Sequence, residues 1–409
     1  MKTLHRRCAG LDVHSAEIVA AVRTVTKGKI NHEVRRFTTT TAGLLALAAW
    51  LAEQRVTHVA MEATGVYWKP VWHILEGQFE LLLANAAHVK NLPGRKSDVS
   101  DAVWLSDLLA HGLIRASMVP PQPVLELRDL TRTRRQLGRE LTQHTQRIQK
   151  VLEDANIKLT ELISDVMGMS GRRIIKAMIA GETNPVKLAA FGSTRLKCLR
   201  AQLVEALTGR ITAHHRFMLA EHMAMIEAIE ARMTRFEAEI EARLAPFRDT
   251  VERLSTIPGV SATAAAVILA EIGFDMSVFP DDGHLLSWAG MVPRMDESAG
   301  KKRSTRLRKG AVWLKPLLVQ CAWAATRKRN CYLSAQYYHL KGKHDAKSAI
   351  MAVAASILQA VYHMLKNGTP YRDLGPNHFA VRDKAKAAAT LARRIKALGF
   401  DVQYNQMAA

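Results

Sequence analysis

The chain has 409 residues, and its 58 lysines and arginines against 37 aspartates and glutamates give a formal net charge of +21. Its 48% hydrophobic and 23% charged residues are typical of a globular protein and exclude a disordered one. The hydropathy pattern predicts neither a signal peptide nor a membrane span. The cysteines have no metal-ligand spacing and are too few for a disulfide framework; they are Cys8, Cys198, Cys321 and Cys331.

The excess of positive charge favours a polyanionic partner, and nucleic acid is the first class to consider. We therefore expect a reduced, cytoplasmic and nucleoid-associated protein. A basic housekeeping protein without a polyanionic partner is the alternative that charge alone leaves open.

Strand and helix patterns alternate in the first part of the chain. Strands are predicted at 7–13, 17–25, 30–38, 56–62 and 79–84, and helices at 41–54, near 66–78 and from about 97 to 111. Three antiparallel strands followed by alternating helices and strands is the element order of a ribonuclease-H-like α/β domain. Prolines at 120, 121 and 123 break the pattern and predict the end of this domain.

The remainder of the chain reads as helical. One long helix is predicted over 125–154, and residues 226–244 carry a coiled-coil seam with spacings of three and four. The seam could face the first helix in an antiparallel hairpin or a second copy of the chain. The predicted domains are 1–120 (α/β), 121–250 (helical coiled-coil arm), 251–376 (mostly helical C-terminal domain) and 377–409 (basic helical tail).

Four carboxylates are candidates for a metal site. Asp12 and Glu62 end the first and fourth predicted strands, which are neighbours in a ribonuclease-H-like sheet. Asp98 and Asp101 are three apart on a helix and share a face. Four clustered carboxylates repel one another unless cations neutralise them, and oxygen ligands favour Mg²⁺ or Mn²⁺, which can polarise a phosphodiester. Ordinary turn and helix-capping roles are the alternative, and Asp107 is interpreted as a surface or helix-dipole residue.

Two segments are candidates for phosphate contact. Residues 127–150 hold seven cations against two acids, which predicts a phosphate-facing stripe that includes Arg128, Arg132, Arg135 and Arg139, or else a solvated helix face. Residues 254–272 read as helix, Pro-Gly turn and helix, which resembles a helix-hairpin-helix element. In that element the turn at Gly259 would bind phosphate, whereas a plain αα-hairpin would not.

Ser298 lies in the basic segment 294–315, beside a small residue and a glycine. A serine in this setting can approach a phosphodiester, and neighbouring cations can stabilise the developing charge. From the residues alone, however, a turn role is the simpler interpretation. The cations that we expect to contact nucleic acid here are Lys301, Lys302, Arg303, Arg306 and Arg308.

A set of short motifs occurs in one order along the chain: Gly10-Leu11-Asp12-Val13-His14, Met61-Glu62-Ala63-Thr64-Gly65, Lys96-Ser97-Asp98-Val99-Ser100-Asp101-Ala102, Ile257-Pro258-Gly259-Val260, Ala289-Gly290-Met291-Val292-Pro293 and Glu297-Ser298-Ala299-Gly300-Lys301. With this set the chain resembles the DEDD transposases of bacterial insertion sequences, the bridge-RNA-guided recombinases. The resemblance spans about residues 7–370.

The resemblance implies a RuvC-like domain, a coiled-coil arm and a C-terminal transposase domain. It implies that Asp12, Glu62, Asp98 and Asp101 bind metal and that Ser298 forms a phosphoserine link. Ser304 and Thr305 are close enough in sequence to compete for that role. The implied partners are donor and target DNA, a noncoding guide RNA, and further copies of the chain in a dimer that assembles to a tetramer.

Two other functions fit the same residues. A junction resolvase would use the metal site to hydrolyse DNA with water and would form no covalent intermediate. A non-enzymatic nucleic-acid-binding protein would retain the basic segments without using the carboxylates.

Overall fold

A computed structural model describes residues 3–26, 28–63, 65–85, 101–194, 196, 198–293, 296–298, 301–304, 306–307, 310–379 and 384–402. The chain forms two compact units, Met1–Val119 and Pro120–Ala409. The predicted arm and C-terminal domain both fall in the second unit, and the boundary between them stays a prediction.

The described part of the first unit contains a five-stranded sheet. Its elements are β1 (Arg7–Val13), β2 (Glu17–Thr26), β3 (Lys29–Thr38), α1 (Thr41–Glu53), β4 (His58–Glu62), α2 (Trp68–Leu75), β5 (Glu80–Ala84) and α3 (Asp101–Ala110). The strand order is β3-β2-β1-β4-β5. β1, β2 and β3 are antiparallel, whereas β4 is parallel to both β1 and β5. The mixed α/β architecture predicted for this part of the chain is confirmed.

The two faces of the sheet follow from the alternation of side chains along β1. Ala9, Leu11 and Val13 are buried in one cluster with α1. Cys8 points to the opposite face, where it clusters with Leu105 and other apolar residues of α3. Asp12 has the same parity as Cys8 and therefore shares the α3 face.

Gly10 is the point at which α3 approaches the sheet most closely. A β-carbon at Gly10 would collide with the carbonyl oxygen of Ala102 and would lie 2.6 Å from the Ser106 nitrogen and 2.8 Å from the Leu105 β-carbon. Only glycine permits this helix to lie directly on β1.

The second unit contains two long helices, α4 (Gln122–Asp154) and α9 (Ala213–Leu244). Between them lie α5 (Leu159–Leu162), α6 (Met169–Ile179), α7 (Pro185–Ala190) and α8 (Arg200–Ala206). They are followed by α10 (Arg248–Ser255), α11 (Ala262–Ile272), α12 (Asp282–Trp288), β6 (Asp296–Ser298), β7 (Lys301–Ser304), α13 (Leu314–Thr326), α14 (Tyr332–Lys341), α15 (Ala346–Asn367) and α16 (Lys384–Ala397).

The coiled-coil seam of α9 packs against α4 of the same chain. α4 and α9 pack along one another in antiparallel directions, with cross-helix pairs running from Glu126–Arg243 at one end, through Arg134–Glu237 and His144–His222, to Asp154–His215 at the other. The seam residues Ile226, Ile229, Ile240 and Leu244 are buried by this packing. Of the two arrangements that the spacing allowed, the structure adopts the intramolecular hairpin.

The sequence predicted no membrane span, but one helix of the described residues has the length and hydropathy of one. This helix is α15. Half of its most apolar window is buried, and it packs against α12, α13 and α14. This packing accounts for its apolar face, and α15 is the central helix of a folded module.

Candidate active site and basic segments

Asp12 and Glu62 lie at the carboxyl ends of β1 and β4, which are neighbouring strands inside the sheet. β1 and β4 are parallel, with Leu11 opposite Met61, so the next positions bring the two acidic residues together. Ala60 belongs to the cluster on the α3 face, and Glu62, two positions later, has the same parity. Both residues are half-buried. His14 Nε2 lies 3.2 Å from Asp12 Oδ2.

The direction of α3 brings Asp101 to the same end of these strands. The Cys8 thiol lies 3.4 Å from the Ser106 carbonyl oxygen, so the later part of α3 covers the beginning of β1. Ala102 lies over Gly10, two positions before Asp12. The first residue of α3, Asp101, therefore lies toward the end of β1 that carries Asp12.

The chemistry of these donors fits a hard divalent cation, because carboxylate oxygens are the ligands that Mg²⁺ and Mn²⁺ prefer. The fourth predicted ligand, Asp98, lies outside the described residues. Among the residues that are described, no group of three His, Cys, Asp or Glu side chains is close enough to hold a metal ion. The four-carboxylate metal site therefore stays a prediction, and the register of β1 and β4 is the observation that bears on Asp12 and Glu62.

The interpretation of Asp107 as a surface or helix-dipole residue is wrong. Its Oδ1 accepts a 2.8 Å hydrogen bond from Arg23 Nε and lies 3.1 Å from His32 Nε2. Arg23 is fully buried, and its two terminal nitrogens have no hydrogen-bond partner among the described residues. An arginine in the middle of an apolar strand was the available sequence signal. The pair attaches α3, and hence Asp101, to β2.

Cys8 is not an available nucleophile. It is fully buried beneath α3, and burial raises the pKa of its thiol to about 11. The thiol is therefore protonated at neutral pH, and thiolate chemistry at this position is excluded.

Ser298 is the last residue of the short strand β6, whereas the sequence alone favoured a turn role. β6 and β7 pair in antiparallel directions, with Ser298 opposite Lys301 and Asp296 opposite Ser304. The two competing serines thus lie at opposite ends of a short hairpin, Ser298 at the last position of β6 and Ser304 at the last position of β7. Lys302 and Arg303 also lie in β7, Arg306 is exposed, and Arg308 and Thr305 lie outside the described residues.

The arginines of the expected phosphate-facing stripe contact other parts of the second unit. Arg128 donates to the carbonyl oxygens of Ala270 (3.0 Å) and Glu271 (2.7 Å), which are the last turn of α11. Arg132 forms a bidentate pair with the carboxylate of Glu271, both bonds 2.8 Å long. These contacts satisfy carbonyl groups at a helix end and a buried carboxylate.

Arg135 and Arg139 contact Trp313. Arg135 donates a 2.7 Å hydrogen bond to the Trp313 carbonyl oxygen, and the Arg139 guanidinium lies 5.3 Å from the centre of the indole ring. The phosphate role of the four arginines stays a prediction, but their contacts favour a structural one. Arg147 and Lys150, farther along α4, are exposed.

The Pro-Gly turn between α10 and α11 is largely buried. Gly259 has φ +85°, and a β-carbon there would lie 2.7 Å from the Ala325 nitrogen and would collide with the Cys321 carbonyl oxygen of α13. Ser261 caps α11 by accepting a hydrogen bond from the Ala264 amide. The glycine is thus required for packing against α13, and phosphate binding at this turn stays a prediction.

Carboxylates at the ends of adjacent parallel strands, with a further aspartate at the start of the covering helix, are donors of the kind that hold divalent ions in enzymes acting on phosphodiesters. Two family models match the chain. Residues 9–157 match a transposase model, the DEDD transposase domain of IS110, and residues 251–339 match the model of the transposase IS116/IS110/IS902 family. The chain belongs to the IS110 family of transposases. No curated protein matches it.

Family membership makes the chain a DNA-processing enzyme of insertion sequences, and its sheet is consistent with a RuvC-like fold. A domain of the DEDD type also indicates the use of a divalent metal ion.

Proposed function

We propose that this transposase is an RNA-guided DNA recombinase that cuts and rejoins strands through a covalent phosphoserine intermediate at Ser298. The metal site would comprise Asp12, Glu62, Asp98 and Asp101. The observation that carries the proposal is the register of β1 and β4, which brings two carboxylates to the same sheet edge and the same face as the start of α3.

The proposed reaction is a transesterification. The Ser298 hydroxyl oxygen forms a bond to phosphorus and loses its proton, and the bond from phosphorus to the departing strand breaks, leaving that strand with a hydroxyl group. A hydroxyl of another strand then attacks the phosphoserine ester and releases Ser298. Because the ester conserves the energy of the broken bond, joining needs no nucleotide cofactor. Bound Mg²⁺ or Mn²⁺ would polarise the phosphate oxygens during both steps.

The proposed partners are donor DNA, target DNA and a noncoding guide RNA. Exposed cations such as Arg147, Lys150 and Arg306 are the described side chains that support binding of polyanions. Assembly of dimers into a tetramer rests on the resemblance. It needs a surface other than the seam of α9, which is occupied by α4.

Covalent trapping tests the proposal. A nicked DNA substrate, the guide RNA and Mg²⁺ should yield DNA that stays attached to the protein in SDS and is released by protease. Ser298→Ala should remove both this adduct and the recombinant product. Ser304→Ala, at the other end of the same hairpin, is the matched control and should retain both.

Two outcomes would contradict this assignment. An adduct that persists in Ser298→Ala and disappears in Ser304→Ala would move the nucleophile to Ser304. Metal-dependent cleavage with no adduct in any variant would show that water is the nucleophile, as in a junction resolvase.

A further inference from the structure

Two exposed aromatic rings on neighbouring helices of the second unit contact the same buried tyrosine, and neither helix carries a proposed metal ligand or the β6–β7 hairpin. Trp323 on α13 is 41% exposed, and Tyr338 on α14 is 62% exposed. Both rings contact the buried ring of Tyr337, with centroid distances of 5.6 Å from Trp323 and 5.2 Å from Tyr338. Tyr337 thus links the two exposed rings across the contact between α13 and α14.

Exposed cations lie at the ends of the same two helices and on the segments that follow them. Lys341 Nζ lies 5.8 Å from the centre of the Tyr337 ring. Arg327 is the C-terminal cap of α13, four positions after Trp323 and therefore on the same side of the helix axis. Further exposed cations of the same segment are Lys328, Arg329, Lys343 and Lys347.

Carboxylates are nearly absent from this segment. Between residues 321 and 347 the sequence has six lysines and arginines and one acid, Asp345. Asp345 caps α15, where it accepts hydrogen bonds from the amides of Lys347 and Ser348. The segment is therefore strongly positive, and a carboxylate outside it that contacts α14 is Asp373, which accepts a hydrogen bond from the Tyr332 amide at the first residue of the helix.

We propose that this surface, formed by Trp323, Tyr338, Arg327 and Lys341, binds a single-stranded nucleic acid by stacking unpaired bases on the two rings. Exposed aromatic side chains among cations are the means by which proteins hold single strands, since every base has a face that can stack and every phosphate a charge. A duplex keeps its bases stacked on one another and offers only phosphates. The proposal deepens the function proposed above and rests on it for the presence of unpaired RNA or DNA.

Binding measurements with the full-length chain test the proposal. Fluorescence anisotropy would compare a labelled single-stranded RNA, a single-stranded DNA and a duplex DNA of equal length, without Mg²⁺ so that cleavage plays no part. Trp323→Ala and Tyr338→Ala should each weaken single-strand binding by roughly tenfold, as expected for the loss of one stacked base, and should change duplex binding by less than twofold. Weaker binding of either single strand supports the proposal. The nucleic acid whose binding is weakened, RNA or DNA, identifies the strand that this surface holds.

Matched variants separate stacking from charge and from misfolding. Trp323→Phe retains a ring and should restore most of the affinity, and Phe217→Ala removes a comparably exposed ring, 62% exposed on α9, and should have no effect. Lys341→Gln should reduce the slope of affinity against salt, whereas Trp323→Ala should leave that slope unchanged. Lys187→Gln removes a cation that pairs with Glu182 and serves as the charge control.

Three results would overturn the proposal. One is single-strand affinity within twofold of wild type in both alanine variants, with unfolding temperatures showing that they are folded. Another is an equal loss for single strand and duplex. The third is a change in oligomeric state, measured by light scattering, without a change in single-strand binding, which would make the surface an interface between copies of the chain. Failure of covalent trapping at Ser298 would leave these binding results intact, so the two proposals can fail independently.

Discussion

Gly10 of β1 lies directly beneath Ala102 of α3, with no room for a side chain between them. The strand carries Asp12 two positions after this contact, and the helix begins at Asp101, one position before it. The contact therefore sets the distance between two of the proposed metal ligands.

Gly10→Ala tests this packing. A β-carbon at this position must displace α3, so the free energy of unfolding should fall by about 1–3 kcal/mol, and DNA cleavage should be lost with it. Gly138→Ala is the control, because Gly138 lies on α4 with nothing within 4 Å of an added β-carbon. That variant should be unchanged or more stable by up to about 1 kcal/mol. Chemical denaturation measures both, and equal stability of the two variants would contradict the close approach of α3.

Asp107→Ala should destabilise the first unit much more than loss of a surface ion pair. It leaves the buried Arg23 guanidinium without its carboxylate, and the free energy of unfolding should fall by about 3 kcal/mol. This is the low end of the range for a broken buried ion pair, because Asp107 is itself partly exposed. Glu17→Ala, which removes the partner of exposed Arg36, should cost less than about 1 kcal/mol. Urea unfolding compares the two, and a similar effect of both changes would show that Asp107 is a surface residue after all.

Arg132→Ala distinguishes a structural role from phosphate contact. Glu271 is 2% exposed and its carboxylate accepts both hydrogen bonds from Arg132, so the variant should lower the unfolding temperature by several degrees. Lys150→Ala on the same helix should leave the unfolding temperature unchanged and reduce the salt dependence of DNA binding. Normal stability with weakened DNA binding in Arg132→Ala would instead support the phosphate-facing stripe.

Alkaline pH should destabilise the protein through its buried thiols. Burial raises the pKa of Cys8 to about 11 and that of Cys321 to about 11. Because the folded state holds these protons more tightly than the unfolded state, their contribution is present below pH 9 and is lost as pH rises toward 11. Cys8→Ala and Cys321→Ala should each flatten the fall in unfolding free energy between pH 8.5 and 10.5. Cys198→Ala, at a half-buried position, is the control, and identical pH dependence in all variants would contradict the predicted linkage.

Asp12→Asn and Glu62→Gln should abolish Mg²⁺-dependent strand cleavage while affinity for DNA and RNA stays near that of wild type. Each change removes the charge of a proposed ligand and leaves the cationic surfaces intact. Cleavage assays over a range of Mg²⁺ concentrations, with binding measured in parallel, provide the test. Wild-type cleavage by either variant at saturating Mg²⁺ would remove that residue from the site.

Local periodicity was sufficient to predict the five strands of the first unit and the two helices of the α4–α9 hairpin, because side chains alternate every two residues in a strand and recur every three to four in a helix. It did not predict the short strands β6 and β7. The proximity of Asp12 and Glu62 followed from the element order, since strand ends in a ribonuclease-H-like sheet meet at one edge. Asp101 could be placed on a helix from the periodicity of the residues that follow it. These features depend on residues that are near one another along the chain or on a common topology.

The partners of charged and apolar surfaces depend on segments far apart in sequence, and tertiary packing decided them. Arg132 and Glu271 are 139 positions apart, so the helix pattern could not show that this cation is paired. The same holds for Arg23 and Asp107, which are 84 positions apart. The seam of α9 carried an apolar stripe but no information on whether α4 or a second chain would cover it. Burial of a side chain depends on which segments pack around it in the folded chain. Periodicity alone identifies the apolar face of a helix but not the segment that covers it.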